Sequence, residues 1–175
     1  MFNHKKMNAD ELLKKAEDST YHLWFLNKML NRMVPFNSPH GLKVTKLGKK
    51  KTQVLLPYKR GNMNHISGLH ACALATLAEF TTGLSLLRKL PPKEYRIIMK
   101  DIHMEYFYQG KMDATAEFSI GKKWMDEHIY QPLESENKIS VECKIWIFDI
   151  KDNHLATGDI TWQVKKWAAV KTKIS

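Results

Sequence analysis

From Leu69 to Leu87 the chain runs for nineteen residues almost without charge, and apart from the thiol of Cys72 only His70 and Glu79 are ionisable. A charged carboxylate left unpaired among apolar groups costs several kcal/mol, so Glu79 is partnered, protonated, or facing a cavity that a ligand uses. Carboxylates perturbed in this way concentrate at acid and base sites, although structural ion pairs perturb them too. Asn64 stands six residues before His70, and Glu79 nine after it. Gly68, Leu69, His70 and Ala71 open the apolar stretch. If it is helical, its first backbone N–H groups point outward with the positive end of the dipole behind them. Such a terminus stabilises an oxyanion while a carboxylate activates the attacking group, which is the chemistry of thioester cleavage. Gly68 alone would be a turn glycine and His70 alone a cap; it is the set Asn64, Gly68, His70 and Glu79 that carries the chemistry.

The elements that must position this set follow from periodicity. A helix over Leu69–Leu87 would be about 28 Å long. Leu74, Leu77, Thr81 and Leu84 fall opposite Glu79, whereas Cys72, Thr76 and Gly83 lie on its side. Residues 8–34 read as two helical pieces separated by a cap at Asp18, Ser19 and Thr20. An amphipathic helix closing a sheet is one role for the second piece; a lid of Trp24, Phe25, Met29 and Met33 over a pocket is another. Leu42–Leu47 and Thr52–Leu56 read as a hairpin turned through Gly48. After Pro91 and Pro92 four antiparallel strands follow. Ile98, Ile102, Met104 and Tyr106 share a face of the first, and residues 122–138 are expected to be an extended loop. Two strands, one long apolar helix and four strands define an α+β fold, with an antiparallel sheet wrapped around a central helix and an N-terminal helical extension.

Composition narrows the function classes. A chain of 175 residues, 43% apolar, suits one domain with a sizeable core. The first residues carry charge without an apolar run, and the Leu69–Leu87 helix holds Glu79, His70 and four Ser/Thr, so a cytoplasmic protein without a membrane span is expected. Cys72 and Cys143 lack metal-ligand spacing and read as reduced core thiols; no metal is expected. A net charge of +10 attracts phosphate-bearing partners. The lysines are dispersed and lack interleaved aromatics, which argues against specific nucleic-acid binding.

The segment Asn64-His65-Ile66-Ser67-Gly68-Leu69-His70-Ala71, continuing to Glu79, resembles the signature of small hotdog-fold acyl-CoA thioesterases, the phenylacetyl-CoA thioesterase-like group. In that pattern an Asn precedes a His-Gly-Gly segment by six residues, and an acid follows the His by nine. Pro35 to Val44 and the alanine-rich helix are similar to a branch described as tetrameric acyl-CoA thioesterases of unknown function. The likeness spans roughly residues 20–167. It implies a single hotdog domain over 1–175, with a helical segment at 1–34, the core at 35–167 and a tail at 168–175. It also implies Glu79 as general base or nucleophile, Asn64 orienting water or thioester, His70 as a positioning partner, and the Ala71 N–H polarising the carbonyl. Ala71 and Cys72 stand where relatives carry Gly-Gly. The resemblance further implies a homodimer or dimer of dimers, with Glu79 of one subunit facing the helix start of the other. Coenzyme A would enter only as part of the substrate, and no cofactor is implied. Lys59, Arg60, Arg88 and Lys89 are candidates for its phosphates, with Gly68 and His65 beside the substrate. His65 also precedes Glu79 by fourteen residues, the spacing of a hotdog hydratase or dehydratase. A non-catalytic acyl-CoA or lipid-binding module is the third reading.

Overall fold

The computed structural model describes residues 9–170; Met1–Asn8 and residues 171–175, on which the expectations of a charged start and a tail partly rest, lie outside the described residues. The apolar stretch is a helix, α3 (Ala71–Lys89), starting two residues later than periodicity predicts because the His70 ring caps it. Its hydroxyls bond back into the helix itself. Thr76, Thr81, Thr82 and Ser85 each donate to the carbonyl four residues earlier, at 2.8, 2.7, 3.0 and 2.7 Å. The hydroxyl protons of all four buried side chains are therefore satisfied within the helix. Leu74, Leu77, Thr81 and Leu84 are buried, as the helical period requires.

One antiparallel sheet surrounds this helix. Its strands are β1 (Lys43–Leu47), β2 (Lys51–Leu56), β3 (Tyr95–Tyr106), β4 (Ala114–Ser119), β5 (Lys138–Asp149) and β6 (His154–Lys166). They run in the order β1-β2-β4-β5-β6-β3, so β3 crosses to the far edge before the chain returns to the middle. Strict alternation along β5 puts Val141, Cys143, Ile145 and Ile147 on the helix side and Glu142, Lys144 and Trp146 outside. The expected face of β3 is corrected by a bulge between Met99 and Asp101. The extra residue reverses the alternation, so Ile98 faces out, opposite Gln163, while Ile102 faces in, opposite Ile160.

The helical extension closes the structure. Here α1 (Ala9–Lys15) precedes α2 (Thr20–Met33), which Ser19 caps by accepting from the His22 N–H at 3.3 Å. The Asn27 side chain reaches β1 as a neighbouring strand would, donating to the Val44 carbonyl at 3.0 Å and accepting from the Val44 N–H at 2.7 Å. At the far end of α3 the Arg88 guanidinium binds the Glu17 carboxylate at 2.6 Å, both side chains nearly buried. Arg88 Nη1 and Lys89 Nζ also donate to the Lys49 carbonyl, at 3.0 and 2.7 Å, which ties down the β1–β2 turn.

Two further expectations are corrected. Residues 122–135 are helical, as α4 (Lys122–Met125), a wider π turn (Asp126–Tyr130) and α5 (Gln131–Ser135). Pro132 sits at the start of α5, where a missing N–H costs nothing, and Met125, Ile129 and Leu133 at four-residue spacing form its buried stripe. Of the two cysteines only Cys143 is a core thiol, raised by burial to about 12; Cys72 is exposed on the first turn of α3.

Candidate active site

The loop before α3 is built by Asn64 and held from three sides. Asn64 Oδ1 accepts from the N–H groups of Gly68 at 2.9 Å and Ile66 at 3.1 Å, while its own N–H donates to the Gly68 carbonyl at 2.8 Å. Ser67 takes a left-handed conformation, φ 59°. Its carbonyl accepts from the Tyr58 hydroxyl at 2.7 Å, and the Ile66 carbonyl from Gln109 Nε2 at 3.2 Å. Gly68 lets the Gln109 side chain lie close: a Cβ there would meet Gln109 Cγ at 2.7 Å, so the glutamine would have to shift. Asn62 anchors the base of the loop. It is buried, donates to the His40 and Pro57 carbonyls at 2.8 and 2.9 Å, and accepts the His70 N–H on its carbonyl at 2.8 Å. Tyr58, Asn62 and Gln109 are absent from the sequence reading because only tertiary contact brings them to the loop.

At the helix start one donor is left. The His70 N–H goes to Asn62, the Cys72 N–H to His70 Nδ1 at 3.0 Å, and the N–H groups of Ala73 and Leu74 to the His70 carbonyl. Among the described residues only the Ala71 N–H of this turn has no acceptor. Because Nδ1 accepts, the neutral His70 ring carries its proton on Nε2, on its exposed side. The Tyr106 hydroxyl donates to the Ala71 carbonyl at 3.1 Å and borders this turn from β3.

Glu79 lies eight residues further along α3, about 12 Å from Ala71 by helical rise. No hydrogen bond or ion pair reaches its carboxylate among the described residues, and burial raises its pKa above the ordinary 4.5. It opens into a pocket of about 210 Å³ lined by Leu30 from α2, Val34 from its C-cap, Phe80, Gly83, Leu84 and Leu87 from α3, Ile97 from β3 and Trp162 from β6. Leu84, set opposite Glu79 by periodicity, thus reaches the same pocket. Gly83 lets Trp162 approach: a Cβ would meet the indole at 2.7 Å, and the indole N–H donates to Thr82 Oγ1 at 3.0 Å. A further hollow, about 760 Å³ between Gln53, Trp146 and Asp152, lies on the sheet face turned away from α3.

The other predicted residues divide between the two ends of α3. His65 is exposed on the loop, and Lys59 and Arg60 are exposed on the chain leading into it. Arg88 and Lys89 sit at the opposite end, committed to Glu17 and Lys49. Trp24 and Met33 are exposed and Phe25 and Met29 pack on the core, so this side of the pocket consists of Leu30 from α2 and Val34 at its C-cap. No group of three His, Cys, Asp or Glu among the described residues is placed to hold a metal, and no described helix is long and apolar enough to cross a membrane.

A single long helix wrapped by an antiparallel sheet is the hotdog fold, and solved structures share it. A Pseudomonas aeruginosa protein of unknown function, described as a probable thioesterase, superposes with a TM-score of 0.73 at 22% identity, over 82% of this chain and 95% of that one. A thioesterase from Haemophilus influenzae gives 0.67 at 16%, over 90% and 99%. A Chlorobaculum tepidum protein of unknown function gives 0.69 at 11%, over 91% and 98%. The chain belongs to the family described as a domain of unknown function, DUF4442, which matches residues 23–164. No curated protein matches it.

Proposed function

We propose that this protein is an acyl-CoA thioesterase in which Glu79 is the general base. The observation that carries the reading is an unpartnered carboxylate, raised by burial, opening into an apolar pocket. Glu79 takes a proton from water as the water oxygen bonds to the thioester carbon. Negative charge gathers on the carbonyl oxygen, where the unspent Ala71 N–H stabilises it. Collapse breaks the C–S bond, and the proton passes to the departing thiolate. Asn64 keeps its side-chain NH₂ for the water or thioester while Oδ1 holds the loop, and His70 Nε2–H is a second donor at the same end. Lys59 and Arg60, exposed before the loop, suit the coenzyme A phosphates.

Ala71 and Glu79 are too far apart on one helix to serve one carbonyl. A two-fold pair of chains brings Glu79 of one copy to the Ala71 of the other. The β3 edge suits this pairing, because β3 borders the Glu79 pocket through Ile97, whereas at the β1 edge the Asn27 side chain takes the N–H and carbonyl of Val44.

The test is thiol release from a panel of acyl-CoA thioesters. Glu79→Gln is expected to lose turnover by at least about a hundredfold while still binding coenzyme A. Asn64→Asp keeps the loop acceptor but removes the NH₂. Mixing it with Glu79→Gln is expected to restore part of the activity, since a mixed pair regains one intact site. No thiol release from any thioester overturns the proposal in favour of a binding module, and a changing enoyl chromophore without thiol favours a hydratase.

A further inference from the structure

We infer that the pocket beside Glu79 holds the acyl chain, and that its size and lining select unsubstituted chains of about six to eight carbons. The inference rests on the thioesterase reading for its chemistry, but its geometry stands apart from it. Apart from Glu79 the lining is aliphatic or aromatic: Leu30, Phe80, Leu84, Leu87, Ile97 and Trp162. Trp162 carries the only other polar atom of that set, and its indole N–H is already committed to Thr82. A hydroxyl or carboxylate on the chain would lose its water and find no donor, so such chains are rejected.

Volume sets the length. An apolar cavity of about 150 Å³ accommodates the six carbons of benzene, so in proportion the 210 Å³ pocket takes about eight. Trp162 is buried, and its packing on Gly83 leaves no room for the ring to retreat. Val34 and Leu87 are partly exposed and form the rim, where a bulkier side chain shortens the space without disturbing the core. The helical extension thereby becomes part of the specificity device, since Leu30 comes from α2 and Val34 from its C-cap.

The experiment measures kcat/KM for acetyl-, hexanoyl-, octanoyl-, 8-hydroxyoctanoyl- and palmitoyl-CoA, in the wild type and in Leu87→Trp and Leu30→Ala, with melting temperatures to verify folding. Each methylene up to the limit is expected to raise kcat/KM about fourfold, with an optimum at hexanoyl or octanoyl and losses of more than about tenfold for palmitoyl and 8-hydroxyoctanoyl. Leu87→Trp should move the optimum to shorter chains and Leu30→Ala to longer ones. Turnover that is equal or greater for palmitoyl, or an optimum that neither folded variant moves, overturns the inference and leaves the thioesterase reading standing. If no thioester is cleaved, the thioesterase reading falls instead. Binding of the uncleaved octanoyl-CoA, read by isothermal titration calorimetry against coenzyme A alone, then decides the pocket: tighter binding than coenzyme A that Leu87→Trp weakens upholds it, and no gain over coenzyme A overturns it.

Discussion

The carboxyl of Glu79 is raised above 4.5 by burial alone, and the sign of that shift has a consequence for stability. Between the ordinary value and the raised one, the folded chain binds more protons than the unfolded chain, so stability falls as pH rises through that interval. Glu79→Gln is therefore expected to melt a few degrees higher than the wild type at pH 8 and at the same temperature at pH 4, in parallel thermal scans. For Glu79 as the proposed base, the same shift is expected to place the acidic limb of kcat/KM above the usual glutamate range, because a base must be ionised to act. Cys143 is the opposite case. Its thiol is buried and raised to about 12, so it stays protonated and unreactive at pH 8, and a thiol reagent should reach it only after unfolding by urea.

Helix α3 depends on close contact as much as on its apolar residues. Gly83 sits where Trp162 crosses it, and Thr82 holds the indole from the next position. Gly83→Ala is expected to cost roughly 1–3 kcal/mol, as an overpacked core does, measured by urea denaturation. Alanine ordinarily favours helix over glycine, so a loss here would isolate the contact from the propensity. The helix, the hairpin and the alternation along β5 were all legible, because each is a local pattern repeated over many residues. The bulge in β3 was not, since Ile98, Ile102, Met104 and Tyr106 all fall on one period of two, interrupted only by Lys100 at the bulge itself. Nor was the helix over 122–135, whose buried stripe of Met125, Ile129 and Leu133 is diluted by charge and by Pro132.

Among the described residues β3 is the sheet edge that borders the Glu79 pocket, and the proposed site needs two copies. Light scattering is expected to give the mass of at least two chains. Ile98→Asp, on the outward face of edge strand β3, should lower the mass and the turnover together while circular dichroism is unchanged. A single-chain mass with full turnover would mean that one copy contains a complete site. The net charge of +10 belongs to this level as well. Arg88 spends its charge on Glu17, whereas Lys59 and Arg60 leave theirs exposed near the helix start.

By itself the sequence determined the α+β class, the central helix, and the isolation of Glu79 within it, because hydrophobic period and scarcity of charge are read along the chain. The spacing of Asn64, His70 and Glu79 was equally visible. Tertiary structure alone decided that the Ala71 N–H is the donor left over, because its neighbours are satisfied by Asn62 and His70 after the chain closes on itself. It alone placed Leu30, Ile97 and Trp162 around Glu79, since a pocket is made by residues far apart in sequence. It also separated Arg88 from Lys59 and Arg60, because a rigid nineteen-residue helix holds its two ends apart.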